Sequence, residues 1–164
     1  MLVIGVDPGI ESTGIGVVEE KNNRLSLVHS ELIKTLASDG TPKRLEIIFE
    51  KINKIIDSYQ ISFASVEKLF FAKNVKTAMV VSEARGAILL ALQLKNIPIY
   101  EYTPLQVKQA LIGYGRGTKD QIQSLVKIIL NLSELPKQDD VADGIALAIT
   151  HINSYRMLAK IRKT

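Results

Sequence analysis

The sequence of 164 residues contains no cysteine and only two histidines, His29 and His151. Disulfides and cysteine-ligated zinc are thereby excluded, and a reducing compartment suits the chain. A histidine-built metal site is disfavoured as well. Any metal would rest on oxygen ligands, which selects magnesium, manganese or calcium. Long hydrophobic runs are also missing. Beyond the N-terminus the longest all-apolar stretch is Ala87 to Leu92, far short of a membrane span. The opening Met1-Leu-Val-Ile-Gly-Val-Asp7 has no basic region and meets a charge too soon for a signal peptide. A cytoplasmic protein with no membrane association is expected.

What is present fits one soluble domain with its own core: 46% apolar and 23% charged residues. Lys plus Arg is 21 against 17 Asp plus Glu, a net charge of +4. That excess leans toward a polyanionic partner without requiring one.

Apolar periodicity orders the chain. Residues 2–7 read as a buried strand closed by an Asp-Pro-Gly turn. Thr13 to Val18 and Arg24 to Lys34 read as two more strands joined at Asn22-Asn23, giving an antiparallel meander. Thr41 and Pro42 then cap a helix carrying Leu45, Ile48, Ile52, Ile55 and Ile56. A short strand runs from Phe63 to Glu67 and a long helix from Asn74 to Leu94. Another strand is expected over Ile97 to Tyr100. Thr103-Pro104 opens a helix to about Ile112, and Gly113 to Gly117 forms a flexible loop. Helices follow at 118–131 and 139–155. The pattern predicts an α/β domain over 1–155, a five-stranded mixed sheet with helices on both faces, and a basic tail over 156–164.

Four carboxylates stand out. Asp7 and Glu67 each end an apolar strand, where an Asx-turn or an exposed strand end is an ordinary explanation. Asp140 and Asp143 are three apart, so they share one face of a helix that is otherwise apolar nearly all round. Helix capping accounts for one acid there, and Asp139 is available for it. Two like charges about 4 Å apart repel by roughly 4 kcal/mol at an effective dielectric near 20. Converging carboxylates must therefore be separated, protonated or neutralised. Two divalent ions would cancel four of them, an arrangement suited to in-line phosphoryl chemistry.

These residues carry a resemblance. Ile4-Gly-Val-Asp-Pro-Gly9 with Thr13-Gly-Ile-Gly16 is similar to the opening of the RuvC family of Holliday-junction resolvases. Val66-Glu-Lys-Leu-Phe-Phe-Ala-Lys-Asn74, Tyr102-Thr-Pro-Leu-Gln-Val-Lys-Gln109 and Asp140-Val-Ala-Asp-Gly-Ile-Ala-Leu-Ala-Ile-Thr-His151 resemble its later blocks, in order. The resemblance implies a ribonuclease-H-like fold. It also implies a homodimer that resolves four-way DNA junctions by paired symmetric nicks, in recombination and repair. It places the catalytic, metal-binding carboxylates on Asp7, Glu67, Asp140 and Asp143, with two Mg2+ per subunit and Mn2+ as a substitute. It places a DNA-contacting aromatic on Phe70 and functional lysines on Lys108 and Lys119. The RuvA–RuvB branch-migration complex is an implied partner. Asp139, beside Asp140, departs from the pattern and leaves open which neighbour points inward.

Lys73, Lys76 and Arg116 are further candidates for backbone phosphate contacts. Gly86 to Leu92 has no polar side, which predicts a helix packed against a second subunit or sandwiched in the monomer. Three rival readings remain: an actin-like ATPase, a non-enzymatic nucleic-acid-binding module, and another ribonuclease-H-like nuclease. The first needs two domains and a second phosphate loop.

Overall fold

The computed structural model describes residues 1–68, 75–113, 117–134 and 136–161. Five strands form one sheet in the order β3-β2-β1-β4-β5. Strands β1 (Leu2–Asp7), β2 (Ser12–Lys21) and β3 (Arg24–Lys34) make the antiparallel meander. Asn22 and Asn23 take positive φ at its tight turn, a conformation asparagine tolerates better than most residues. Strands β4 (Phe63–Glu67) and β5 (Ile99–Tyr102) add in parallel on the other side of β1. The mixed five-stranded sheet expected from the sequence is the one observed.

Helices α1 (Gly40–Ser58) and α2 (Val75–Leu94) cover one face. Their Ile48, Ile52, Ile88 and Leu92 meet Ile4, Val6, Ile15 and Val66 of the sheet. Helices α3 (Pro104–Ile112), α4 (Lys119–Ile129) and α5 (Asp139–Ile161) cover the other. There Val3 and Val18 pack against Val107, Val126, Ile145 and Ile149. Strand alternation decides which face each side chain serves. Val3, Gly5 and Asp7 face α5, as do Phe63, Ser65 and Glu67.

Two expected boundaries move. Helix α1 begins at Gly40, fed directly by a 3-10 turn over Ala37–Asp39, so Thr41 and Pro42 lie inside its first turn and Thr41 is not the cap. The last strand is shifted from Ile97–Tyr100 to Ile99–Tyr102, because Asn96 turns the chain at φ 55° and Ile97 drops into the core. The caps at Thr103 and Thr118 are full capping boxes with Gln106 and Gln121. Helix α5 continues to Ile161, beyond residue 155, and Arg156 pairs with Glu20 at 2.9 Å.

Candidate active site

Asp7 and Glu67 close neighbouring parallel strands, with Val6 paired to Val66 just before them. Equal parity puts both side chains on the α5 face at the same end of the sheet. Helix α5 starts there and runs back along β1 and β2. It can approach because the facing positions are glycine: a Cβ at Gly14 would overlap the Asp140 carbonyl, and one at Gly5 would overlap the Gly144 carbonyl. Asp7 is the register partner of Gly14. The first turn of α5 therefore lands beside Asp7 and brings Asp140 and Asp143 with it. Ser65 Oγ fastens the helix farther along by donating to the Leu147 carbonyl at 2.8 Å.

The electrostatics report the convergence. Burial pushes the Asp7 carboxyl up to about 9, helped by the hydrogen-bonded and charged Glu67 and by the charges of Asp143 and Asp140. Burial also raises Asp143, against the pull of Lys119. Among the described residues, no three acidic or histidine side chains are gathered closely enough to hold a metal ion as they stand. Each acid instead has a local partner. The Ser12 hydroxyl donates to Asp140 Oδ2. Lys119 Nζ lies 3.1 Å from Asp143 Oδ2. Asp7 has Glu67 beside it, which favours the protonated form of Asp7.

Asp139 turns away. Its side chain is 65% exposed, accepts from Gln123 Nε2 at 3.0 Å and pairs with Lys119 at 3.3 Å. Those bonds hold its carboxyl below its ordinary range. Lys119, pulled down by burial but lifted more by Asp143 and Asp139, ends up raised. The site opens into a cavity of about 210 Å³ lined by Glu67, Pro104, Val107, Lys108, Lys119, Ile122, Asp143 and Leu147. Lys108 and Lys119 thus stand on the wall of one cleft with two of the carboxylates. Phe70, Lys73 and Arg116 lie outside the described residues, as does the side chain of Lys76.

Sequence reasoning missed Ser12, which lies between the Asp-Pro-Gly turn and Thr13 with no marker of its own. It also missed the glycine rail as the device that admits α5, although alternating glycines in Thr13-Gly-Ile-Gly16 were a legible signal of close packing. Among the described residues the chemistry open to the site is set by carboxylate oxygens, two ammonium groups and one hydroxyl, with no histidine or thiol. That donor set fits hard divalent cations and anionic substrates.

Comparison with known proteins identifies the family. The sequence model of the family described as "Crossover junction endodeoxyribonuclease RuvC" matches residues 3–151. The RuvC of Alkaliphilus metalliredigens is 45% identical over 164 residues, spanning 99% of this chain and 100% of the relative. That of Brevibacillus brevis is 50% identical over 151 residues, 92% of this chain and 91% of the relative. The structure of Thermus thermophilus RuvC superimposes with a TM-score of 0.89 at 36% identity, covering 96% of both chains. T. thermophilus RuvC in complex with Holliday junction substrate superimposes with a TM-score of 0.92, with the same identity and coverage. With a ribonuclease-H-like sheet, its acids and lysines at one end, and relatives alike over nearly their whole length, the chain belongs to the RuvC family of crossover junction endodeoxyribonucleases.

Proposed function

We propose that this chain is a metal-dependent endonuclease that resolves four-way DNA junctions by paired nicks, with Asp7, Glu67, Asp140 and Asp143 as its catalytic, metal-holding groups. One observation carries the reading: the ends of two adjacent strands and the first turn of α5 bring Asp7, Glu67, Asp140 and Asp143 to one cleft, where burial and the three other acids all push the Asp7 carboxyl up. Such a cleft is short of positive charge, and divalent cations would relieve it. The oxygen-only donor set fits Mg2+, with Mn2+ as a substitute, two ions per subunit. When bound, the pair would supply an activated water and charge stabilisation for the leaving oxygen.

The protein's own residues do the rest. Asp7 and Glu67 must both be deprotonated to act as ligands, so the proton that burial favours on Asp7 leaves on loading. Ser12 engages one Asp140 oxygen and so orients the carboxylate. Lys119 holds Asp143 until an anionic substrate arrives, then serves that phosphate. Lys108 offers a second cation on the same wall. Val107, Ile122 and Leu147 narrow the cleft and limit water. Phe70 with Lys73 and Lys76, and Arg116, are proposed to hold an unstacked base and flanking phosphates.

Two symmetric nicks need two active sites, and a twofold dimer provides them. Helix α2 buries Ala84, Ile88 and Leu92 but leaves Met79, Leu90 and Leu94 more than half exposed. That open apolar face suits a second copy. A monomeric mass at micromolar concentration would overturn the dimer. The RuvA–RuvB complex remains a proposed partner, and the setting a proposed cytoplasmic one.

The decisive experiment compares cleavage of a synthetic four-way junction with that of matched duplex, with and without magnesium. Selective, magnesium-dependent nicking is expected. Equal cleavage of both substrates, or cleavage in chelator, overturns the reading.

A further inference from the structure

On the α1–α2 side of the sheet, at the same end as the carboxylates, lies a second cavity of about 490 Å³. Gly9, Ile10, Glu11, Ser12, Arg44, Val80 and Val81 line it. Arg44 is its unusual member. Only 8% of the residue is exposed, and its Nη2 is buried with no hydrogen-bond partner among the described residues. Among the described residues no carboxylate lies within 4.0 Å of it; Glu11 stands exposed at the rim without pairing to it. The residues outside the described set include no Asp or Glu.

Arginine does not shed its charge when buried, so an unpaired buried guanidinium calls for an anion. This one is built in rather than stray. Its Nε donates to Thr35 Oγ1 at 2.7 Å, and Thr35 Oγ1 donates in turn to the Ile10 carbonyl. That chain aims the guanidinium beneath the 9–12 loop. Ser12, in the same loop, holds Asp140 on the opposite side. The loop is thus a shared wall between Arg44 and the carboxylate cleft.

We infer that Arg44 and the 9–12 loop form a separate anion subsite for a backbone phosphate of the DNA strand, close to but distinct from the phosphate that is cut. The planar fork of arginine matches two phosphate oxygens. The site holds the strand by its backbone and reads no base. The inference rests on the junction-cleaving function proposed above.

The test uses intact protein and junctions carrying one uncharged methylphosphonate linkage at a time, within five positions of the cut. Binding is measured in chelator and cleavage in magnesium. At one or two linkages the substitution should weaken wild-type binding about tenfold, and weaken Arg44→Gln by less than twofold. Arg44→Lys should keep part of the affinity. If Arg44→Gln does not fold, Thr35→Val, which frees the guanidinium from its tether, is expected to blunt the same linkages. Additive effects at every linkage overturn the inference, as does a wild-type scan with no sensitive linkage. Inorganic phosphate is the second probe. If it raises the melting temperature in an Arg44-dependent way while no linkage is sensitive, the pocket serves a free anion and the DNA assignment fails. Absence of junction cleavage by the wild type sinks the proposed function itself; intact cleavage without linkage coupling sinks only the Arg44 site.

Discussion

Asp7 and Glu67, sixty residues apart in sequence, end adjacent parallel strands on the same face of the sheet, and Glu67 favours the protonated form of Asp7. In the absence of a cation this site holds a proton that the unfolded chain, with Asp7 near 3.8, would release. Folded Asp7 titrates near 9, so between about pH 4 and pH 9 the native state binds the extra proton. Stability of the metal-free protein therefore falls as pH rises through that window. Asp7→Asn cannot ionise. At pH 8 in chelator it should be more stable than wild type, on the order of 2 kcal/mol, with a flatter pH profile by thermal melting. It should still bind junctions while magnesium-dependent cleavage drops by at least a thousandfold, and Asp143→Asn should behave alike in cleavage. Persistent cleavage in either variant contradicts the carboxylate mechanism.

Ser12 fixes one oxygen of Asp140. Groups that orient a ligand commonly change metal affinity by about tenfold to a hundredfold. Ser12→Ala is expected to weaken Mg2+ binding by about tenfold in calorimetry, with Ser12→Thr retaining most of it. Equal affinities in all three proteins would show that Asp140 orients itself.

Gly14 lets the first turn of α5 touch the strand, since a methyl group there would occupy the position of the Asp140 carbonyl. Gly14→Ala should destabilise the fold by about 2–4 kcal/mol, as overpacking of a backbone contact does. Cleavage should fall further than stability explains, because Asp140 and Asp143 ride on that turn. Denaturant unfolding and activity at a temperature where the variant stays folded separate the two effects.

His151 lies buried among Phe63, Tyr100, Tyr102 and Tyr155, its Nδ1 2.9 Å from the Tyr102 hydroxyl. Burial lowers it from 6.5 to about 4. The unfolded chain takes up a proton first as pH falls, so stability is lost between about pH 6.5 and pH 4. The loss approaches 3 kcal/mol at the acid end. His151→Phe should abolish this acid limb, whatever its effect at pH 7. A limb of unchanged depth would assign it to other groups.

Apolar periodicity, the asparagine turn and the Thr-Pro cap signatures were sufficient to lay out five strands and five helices. All of these are local signals, each read within a turn or a strand. The observed register of β1 and β4, not a local signal, put Asp7 and Glu67 on matching faces. Where a local signal was weak, the boundary moved: Pro42 invited a cap at Thr41, but the 3-10 turn before it had already started the helix. Spacing alone put Asp140 and Asp143 on one helix face, yet gave no reason for that face to meet Asp7. That reason is steric and long-range: glycines on β1 and β2 remove the side chains that would hold α5 away. The same packing turned Asp139 outward to Gln123 and Lys119, and set Ser12 against Asp140. Arg44 reads in the sequence as one more helix cation; only the tertiary structure buries it beside α2 and the 9–12 loop with no carboxylate partner among the described residues. The residue types determined what chemistry was possible, and the close approach of one helix to one glycine-faced strand pair decided where it is assembled.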